Sequence, residues 1–220
     1  SGGSLIVSGT STGNLTYNVG INDTNWHLIS SPVVGEQYND DNTTLDWVSV
    51  NNIATGTNSN LGIGTYNNGT PDTNTGGSDT ETGHWRYFQA GGVASTFNSG
   101  TGYQMKRSSG TNYGFTGTYK TDDLLKTINQ DVNNWNLVGN PYPSYLLVSE
   151  IIGDNATNLT DSHTFIYVWN NNKIGGAGYE TLAGSDYILP GQAFLVNAKN
   201  STTNNFTITE ARQKGYQTGT

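Results

Sequence analysis

The strongest constraint on this 220-residue chain is that its hydrophobic phrases occur twice in the same order. Trp26-His27-Leu28-Ile29-Ser30-Ser31-Pro32 returns 109 residues later as Trp135-Asn136-Leu137-Val138-Gly139-Asn140-Pro141. Ile63-Gly64-Thr65-Tyr66-Asn67 matches Ile166-Tyr167-Val168-Trp169-Asn170 at an offset of 103, and Trp85-Arg86-Tyr87-Phe88 matches Tyr179-Glu180-Thr181-Leu182 at 94. Gly100, Tyr103, Met105, Phe115 and Thr116 meet Gly191, Phe194, Val196, Phe206 and Thr207 at 91. The offset only shrinks along the chain. Strands carry the core while loops tolerate length change, so this is the trace of a duplicated unit whose second copy has shorter loops. The expected organisation is a first β unit over residues 1–119, a joint over 120–134, a second β unit over 135–212 packed on the first, and a tail over 213–220.

Between the matched phrases run short alternating strands and turn signals. Leu5-Ile6-Val7, Asn14 to Val19, Trp26 to Ile29, Trp85 to Phe88, Gly102 to Lys106 and Tyr113 to Thr118 read as strands. Phe165 to Trp169, Gln192 to Asn197 and Asn205 to Thr209 continue the series. Thr44 to Val50 and Ser144 to Ile151 are expected as one short helix in each copy. Residues 67–83 lack periodicity and read as a long loop. The expected fold is all-β, a β-sandwich or jelly-roll-like architecture built from two homologous halves.

Composition then narrows the function classes. With no cysteine, the chain has neither a disulfide scaffold nor a thiolate metal site. A formal charge of −8 opposes general binding to nucleic acid or to an anionic membrane. No stretch reaches the roughly 18 apolar residues of a membrane helix, so no membrane insertion is expected. Ser1-Gly2-Gly3-Ser4 reads as the start of a domain within a longer protein.

The phrases Ser4-Leu5-Ile6-Val7-Ser8-Gly9, Gly13-Asn14-Leu15-Thr16-Tyr17-Asn18, Trp26 to Val33 and Trp135 to Ser144 carry a resemblance. Together they resemble a non-catalytic β-rich module of secreted and cell-surface proteins of marine and soil Bacteroidetes, substrates of the type 9 secretion system. The resemblance implies an exported accessory module, extracellular or at the cell surface, beside polysaccharide-degrading enzymes or in adhesins. It supplies no binding residues.

Hydrolysis of a glycosidic bond needs two carboxylates about 5–10 Å apart, yet the acids here fall mainly in loops such as Asp40-Asp41 and Asp122-Asp123. His27, His84 and His163 show no metal-ligand spacing, and neither a nucleophile elbow nor a phosphate loop is present. A binding role therefore ranks above an enzymatic one. Aromatics repeated in both copies, Trp26 with Trp135, Tyr66 with Trp169, Tyr103 with Phe194 and Phe115 with Phe206, are expected in the core. Those in one copy only, Tyr38, Trp47, Tyr113, Tyr119, Tyr142, Tyr145 and Tyr187, are freer to meet a ligand.

Rings suit sugars because the C–H face of a pyranose packs on a π face. At period 2, Trp85 and Tyr87 share one strand face while His84 and Arg86 share the other. The candidate ligand-binding residues are Trp85, Tyr87, Arg86, Trp47, Tyr113, Lys106 and Arg107, the last two as a basic pair for a sulfate or carboxylate of an algal polysaccharide. Asp72, Asn74, Asp79 and Glu81 place oxygen ligands at short spacing and are candidates for a structural calcium. The expected function is non-catalytic carbohydrate binding within a larger exported protein, with polysaccharide and neighbouring domains as partners. The alternative is a structural spacer or adhesin module that binds no sugar.

Overall fold

A computed structural model describes residues 3–39, 47–70, 79–82, 84–90, 95–110, 112–199 and 204–215. The first half holds β1 (Leu15–Val19), β2 (His27–Ile29), β3 (Gln37–Asn39), α1 (Trp47–Val50), β4 (Asn60–Tyr66), β5 (Asp79–Thr82), β6 (Trp85–Gln89), β7 (Ser95–Thr96), β8 (Tyr103–Met105) and β9 (Tyr113–Gly117). The second holds β10 (Leu124–Ile128), β11 (Trp135–Gly139), β12 (Tyr145–Leu147), α2 (Val148–Asn155), β13 (Tyr167–Asn170), β14 (Gly178–Thr181), β15 (Tyr187–Ile188), β16 (Ala193–Asn197), β17 (Asn204–Ile208) and β18 (Gln213–Lys214). The fold is all-β with antiparallel pairing throughout.

The sequence offsets reappear as pairing registers. His27 faces Met105 between β2 and β8, and their counterparts Asn136 and Val196 face each other between β11 and β16. Tyr66 faces Trp85 across β4 and β6, as Trp169 faces Tyr179 across β13 and β14. Tyr17 faces Phe115 across β1 and β9, as Lys126 faces Phe206 across β10 and β17. These shared registers relate the five-stranded sheet β2-β8-β4-β6-β5 of the first half to the four-stranded sheet β11-β16-β13-β14 of the second, with β5 as an extra edge strand.

Each sheet uses its two faces differently. One face covers the core of its own half: Ile29, Ile63, Tyr103, Met105 and Phe115 in the first, Val138, Val168, Phe194, Val196 and Phe206 in the second. The other face looks at the partner sheet, where Leu28, Tyr66 and Trp85 meet Trp135, Leu137, Tyr167, Ala193 and Leu195. The period-2 alternation of strands makes this division possible. The result is sandwich-like, with a middle layer shared by the two halves.

The halves are stitched reciprocally. Ser30 N–H donates to Gly191 O at 2.9 Å, and Gly139 N–H donates to Gly100 O at 2.9 Å. These are the same bond under the offsets of 109 and 91. Gly100 and Gly191 both take positive φ, +71° and +74°, a conformation that favours glycine. Near the relating axis a residue meets its own counterpart, so bulk counts twice and small residues are needed. A Cβ on Gly139 would lie 2.3 Å from that of its counterpart Ser30, and a Cβ on Gly102 2.8 Å from that of its counterpart Ala193.

Several boundaries differ from expectation. Residues 120–134 contain a full strand, β10, which opens the second half as β1 opens the first. The tail contributes β18, paired to β12. Leu5 to Val7 form no strand; Leu5 N–H donates to Pro143 O, and Val7 exchanges bonds with the Gln213 amide. The second helix starts after the expected position and ends at Asn155, because Tyr145–Leu147 pair as β12 before the chain coils. Asn155 is buried and clamps the helix to β17, its amide spanning Thr207 O and N–H. The segment expected as a loop over 67–83 yields β5 at its end. Among the described residues, no helix is long and apolar enough to cross a membrane.

Candidate binding cleft

The middle layer does not close completely, and its aromatic side chains line a cleft with two lobes. The larger lobe, about 840 Å³, is walled by Tyr66, His84, Trp85, Trp135, Tyr167, Tyr179 and Leu195, with Lys173, Glu180 and Thr181 also lining it. The smaller, about 220 Å³, is walled by Trp26, His27, Leu28, Tyr87, Gln104 and Trp169. Trp85 and Tyr179 belong to both lobes. They are also counterparts of each other at the offset of 94, and the lobes are themselves counterparts: Trp26 answers Trp135, Trp169 answers Tyr66, Gln104 answers Leu195 and Tyr87 answers Thr181. Volume differs chiefly because Tyr87 packs against Trp26 at 6.0 Å while the matching Thr181 is short.

Local structure holds the rings. Tyr66 and Trp85 meet edge-to-face at 5.2 Å and 78°, and their counterparts Trp169 and Tyr179 repeat this at 5.1 Å and 76°. Trp135 packs edge-to-face on Tyr167 at 4.9 Å. Such pairs prefer this geometry because a ring edge is positive and its face negative. Trp169 Nε1–H donates to Asn171 Oδ1 at 2.9 Å, and the Asn171 amide donates to Trp26 O at 2.9 Å, tying one sheet's tryptophan to the other sheet. His84 Nδ1 donates to Asn67 O at 2.9 Å, which fixes the ring beside Tyr66.

Electrostatically the cleft is close to neutral. Burial, then the neighbouring Tyr66, pushes the Tyr179 phenol up to about 12. Burial also raises the phenols of Tyr66 and Tyr167. All three therefore stay protonated at neutral pH, as hydroxyls that both donate and accept. Glu180 is the one carboxylate among the described lining residues, and it accepts from the Asn170 amide at 2.9 Å. Lys173 Nζ donates to Tyr179 O. Gln104 is 6% exposed and its Nε2 has no hydrogen-bond partner. An unsatisfied buried donor costs about 1–3 kcal/mol. The lining can hold a ligand with apolar faces and hydroxyl edges.

The structure redistributes the residues singled out from the sequence. Trp85 and Tyr87 share the cleft-facing side of β6, as the strand period requires, but His84, expected on the opposite face with Arg86, lies in the turn before β6 and lines the larger lobe beside Trp85. Arg86 sits on the opposite side with Phe88, toward the first core, and does not line the cleft. Lys106 reaches its margin, with Nζ 5.9 Å from the Trp26 ring centroid. Three candidates are corrected to core residues. Trp47 is 4% exposed, stacks on Phe115 and donates through Nε1 to Gly114 O at 2.7 Å. Tyr113 is 1% exposed beside it. Arg107 is equally buried, donating to Asn51 O and Ile21 O with its guanidinium 5.5 Å from the Tyr113 ring centroid. Lys106 and Arg107 therefore form no shared anion site, because the Arg107 guanidinium is buried against backbone carbonyls while the Lys106 ammonium lies over Trp26 at the cleft margin.

Of the calcium candidates, Asp72 and Asn74 lie outside the described residues, while Asp79 and Glu81 belong to β5 rather than to a tight loop. Conversely, Trp26, Trp135, Tyr66 and Trp169, expected in the core because they repeat, line the cleft, which itself repeats. Tyr142 and Tyr145, thought free because unrepeated, are buried. The Tyr142 hydroxyl donates within the second core, to Asp122 O or Ile208 O. The overlooked signal was the Trp-x-Leu spacing of Trp26 to Leu28 and Trp135 to Leu137. It places tryptophan and leucine on one face, opposite the core residues Ile29 and Val138. In comparisons with known proteins, no family model, curated protein or solved structure matches the chain.

Proposed function

We propose that this protein is a non-catalytic carbohydrate-binding module, acting outside the cell on a polysaccharide as an accessory to neighbouring domains of a larger protein. The observation that carries the reading is the aromatic cleft whose two lobes share Trp85 and Tyr179 as walls. Its larger lobe, about 840 Å³, falls in the roughly 300–1,000 Å³ range of small-ligand sites. Half-buried tryptophans offer flat apolar faces to sugar C–H groups, and protonated tyrosine hydroxyls offer partners to sugar hydroxyls. Because the rings are already braced by edge-to-face contacts and side-chain hydrogen bonds, little ordering entropy is lost on binding.

Affinity electrophoresis against neutral and sulfated polysaccharides tests this. One glycan should retard the protein, and Trp85→Ala, which removes the wall common to both lobes, should weaken retardation at least tenfold while the protein stays folded. Free migration through every gel would overturn the reading and leave the spacer or adhesin role in its place. Unchanged retardation of Trp85→Ala would remove the cleft as the site.

A further inference from the structure

The two lobes differ in one chemical respect: where the larger lobe has Leu195, the smaller has Gln104, buried, with its amide nitrogen unpartnered. The same strand position in the other half shows that the fold accepts an apolar side chain there. Retaining an amide instead leaves a donor that a molecule entering the lobe can satisfy. Around it stand Trp26, Trp85, Tyr87, Trp169 and Tyr179, so the space is bounded mainly by ring surface. Apart from His27, whose Nε2 is paired with Asp23 at 2.7 Å, the lining residues carry no titratable group other than tyrosine, and Lys106 stands outside them with its Nζ 5.9 Å from the Trp26 ring centroid. At about 220 Å³ the lobe lies below the usual size of a complete small-ligand site. That volume suits one ring of a longer ligand whose remainder lies in the larger lobe.

We infer that the smaller lobe is a subsite for a single uncharged sugar ring, with the Gln104 amide donating to one of its hydroxyls. This inference rests on the carbohydrate-binding reading. Sugar hydroxyls accept from an amide while the pyranose face lies on a ring, which is the combination of surfaces present here. Gln104 acts as a specificity-determining residue, because a site built to hydrogen-bond a hydroxyl rejects a ring that lacks it. Trp85 and Tyr179 couple this ring to the sugar units in the larger lobe.

The test is isothermal titration of the whole chain with uncharged hexasaccharides of β-1,4-glucan, β-1,3-glucan, β-1,4-mannan and β-1,4-xylan. Tetramethylammonium serves as a competing probe, since an aromatic enclosure can also hold such a cation. Gln104→Leu copies the residue of the other lobe, and Gln104→Met is the second variant should the branched side chain disturb folding. The expected result is that the wild-type chain binds one hexasaccharide. The variants keep or raise its melting temperature and weaken that binding about three- to tenfold, the worth of one neutral hydrogen bond. Undiminished affinity in both variants would overturn the subsite while leaving the carbohydrate reading intact, and would mean that a buried water satisfies Gln104. Tetramethylammonium binding in place of any sugar would overturn the ligand class. Failure of the wild-type chain to bind any of these uncharged hexasaccharides would overturn the subsite, and the carbohydrate reading beneath it falls only if every neutral and sulfated polysaccharide also leaves the protein unretarded.

Discussion

Replacing Gly139 by serine should destabilise the protein, and replacing its counterpart Ser30 by glycine in the same chain should restore it. A Cβ at position 139 would lie 2.3 Å from Ser30 Cβ and 2.8 Å from Thr101 O, against the 3.5–4.0 Å at which carbon atoms pack comfortably. Ser30 is fully buried and on a paired strand end, so it cannot move aside cheaply. Overpacking of this kind costs about 1–3 kcal/mol. Ser30→Gly alone loses a hydroxyl that lies 2.9 Å from Asn140 O and 3.1 Å from Gln192 O. One hydroxyl proton serves one of these at a time, so the loss is about 1 kcal/mol, with about 0.5–1 kcal/mol more for the freedom of glycine.

Independent effects would sum to about 2.5–5 kcal/mol in the double variant. The pseudo-twofold arrangement requires something else. Thr101 O stands to position 139 as Gln192 O stands to Ser30, so a serine at 139 facing a glycine at 30 reproduces the wild-type contact on the other side of the axis. The double variant should therefore return to within about 1 kcal/mol of wild type, a coupling of at least about 1.5 kcal/mol. Urea unfolding of the four proteins measures it, and calorimetry should show Gly139→Ser melting roughly 2–12 °C below wild type, given about 2–4 °C per kcal/mol at this chain length. Additivity within about 0.5 kcal/mol would refute the reciprocal packing of the halves.

Other consequences are open to the same methods. Arg107→Met should cost about 2–4 kcal/mol in urea unfolding, because it strips the Asn51 and Ile21 carbonyls of their buried donor, and it should leave glycan retardation unchanged. Gly100→Ala should be worse than Gly191→Ala. Both force a side chain into positive φ, at about 1–2 kcal/mol, but the Gly100 methyl would also lie 2.3 Å from Leu124 Cδ2 while the nearest contact at Gly191 is 3.3 Å. Equal melting temperatures for the two would contradict this. Finally, stability should be full below pH 10 and fall above it. Tyr17 has a phenol raised by burial from 10.0 to about 12, and Tyr103, Tyr113 and Tyr142 are raised further. The unfolded chain releases these protons first and is favoured by up to about 1.4 kcal/mol per pH unit for each buried phenol. Lys126, lowered by burial, works in the opposite direction. A urea midpoint that stays flat from pH 9 to 11 would contradict the burial of these phenols.

Much of the fold was legible because strand pairing is a matter of register. The offsets of 109 and 91, read from Trp26-x-Leu28 and Tyr103-x-Met105, are those that carry the β2–β8 pairing onto β11–β16. The β1 and β10 equivalence was missed because Leu15-Thr16-Tyr17-Asn18-Val19 and Leu124-Leu125-Lys126-Thr127-Ile128 share little beyond their outer apolar positions. The middle position is Tyr17 in one and Lys126 in the other. Lys126 spends its ammonium on Thr101 Oγ1 at 2.7 Å, a bond between the halves that no local pattern announces.

The candidate cleft was half legible. Trp85 and Tyr87 were placed correctly on one face, since alternation along a strand is a local property. Whether that face met solvent, its own core or another sheet was not local. Trp26 and Trp135 repeat at equivalent positions, and repetition alone fits a core as well as a symmetric groove. By itself, then, the sequence determined the all-β class, the common face of Trp85 and Tyr87 and the correspondence of phrases between the halves, because these follow from short-range alternation and a repeated pattern. Only the tertiary structure decided that Trp26, Tyr66, Trp85, Trp135, Tyr167, Trp169 and Tyr179 converge on one cleft and that Arg107, Trp47 and Tyr113 do not. That convergence depends on how two sheets from segments about a hundred residues apart pack across their axis, and the packing is set by small residues such as Ser30, Gly102, Gly139 and Ala193.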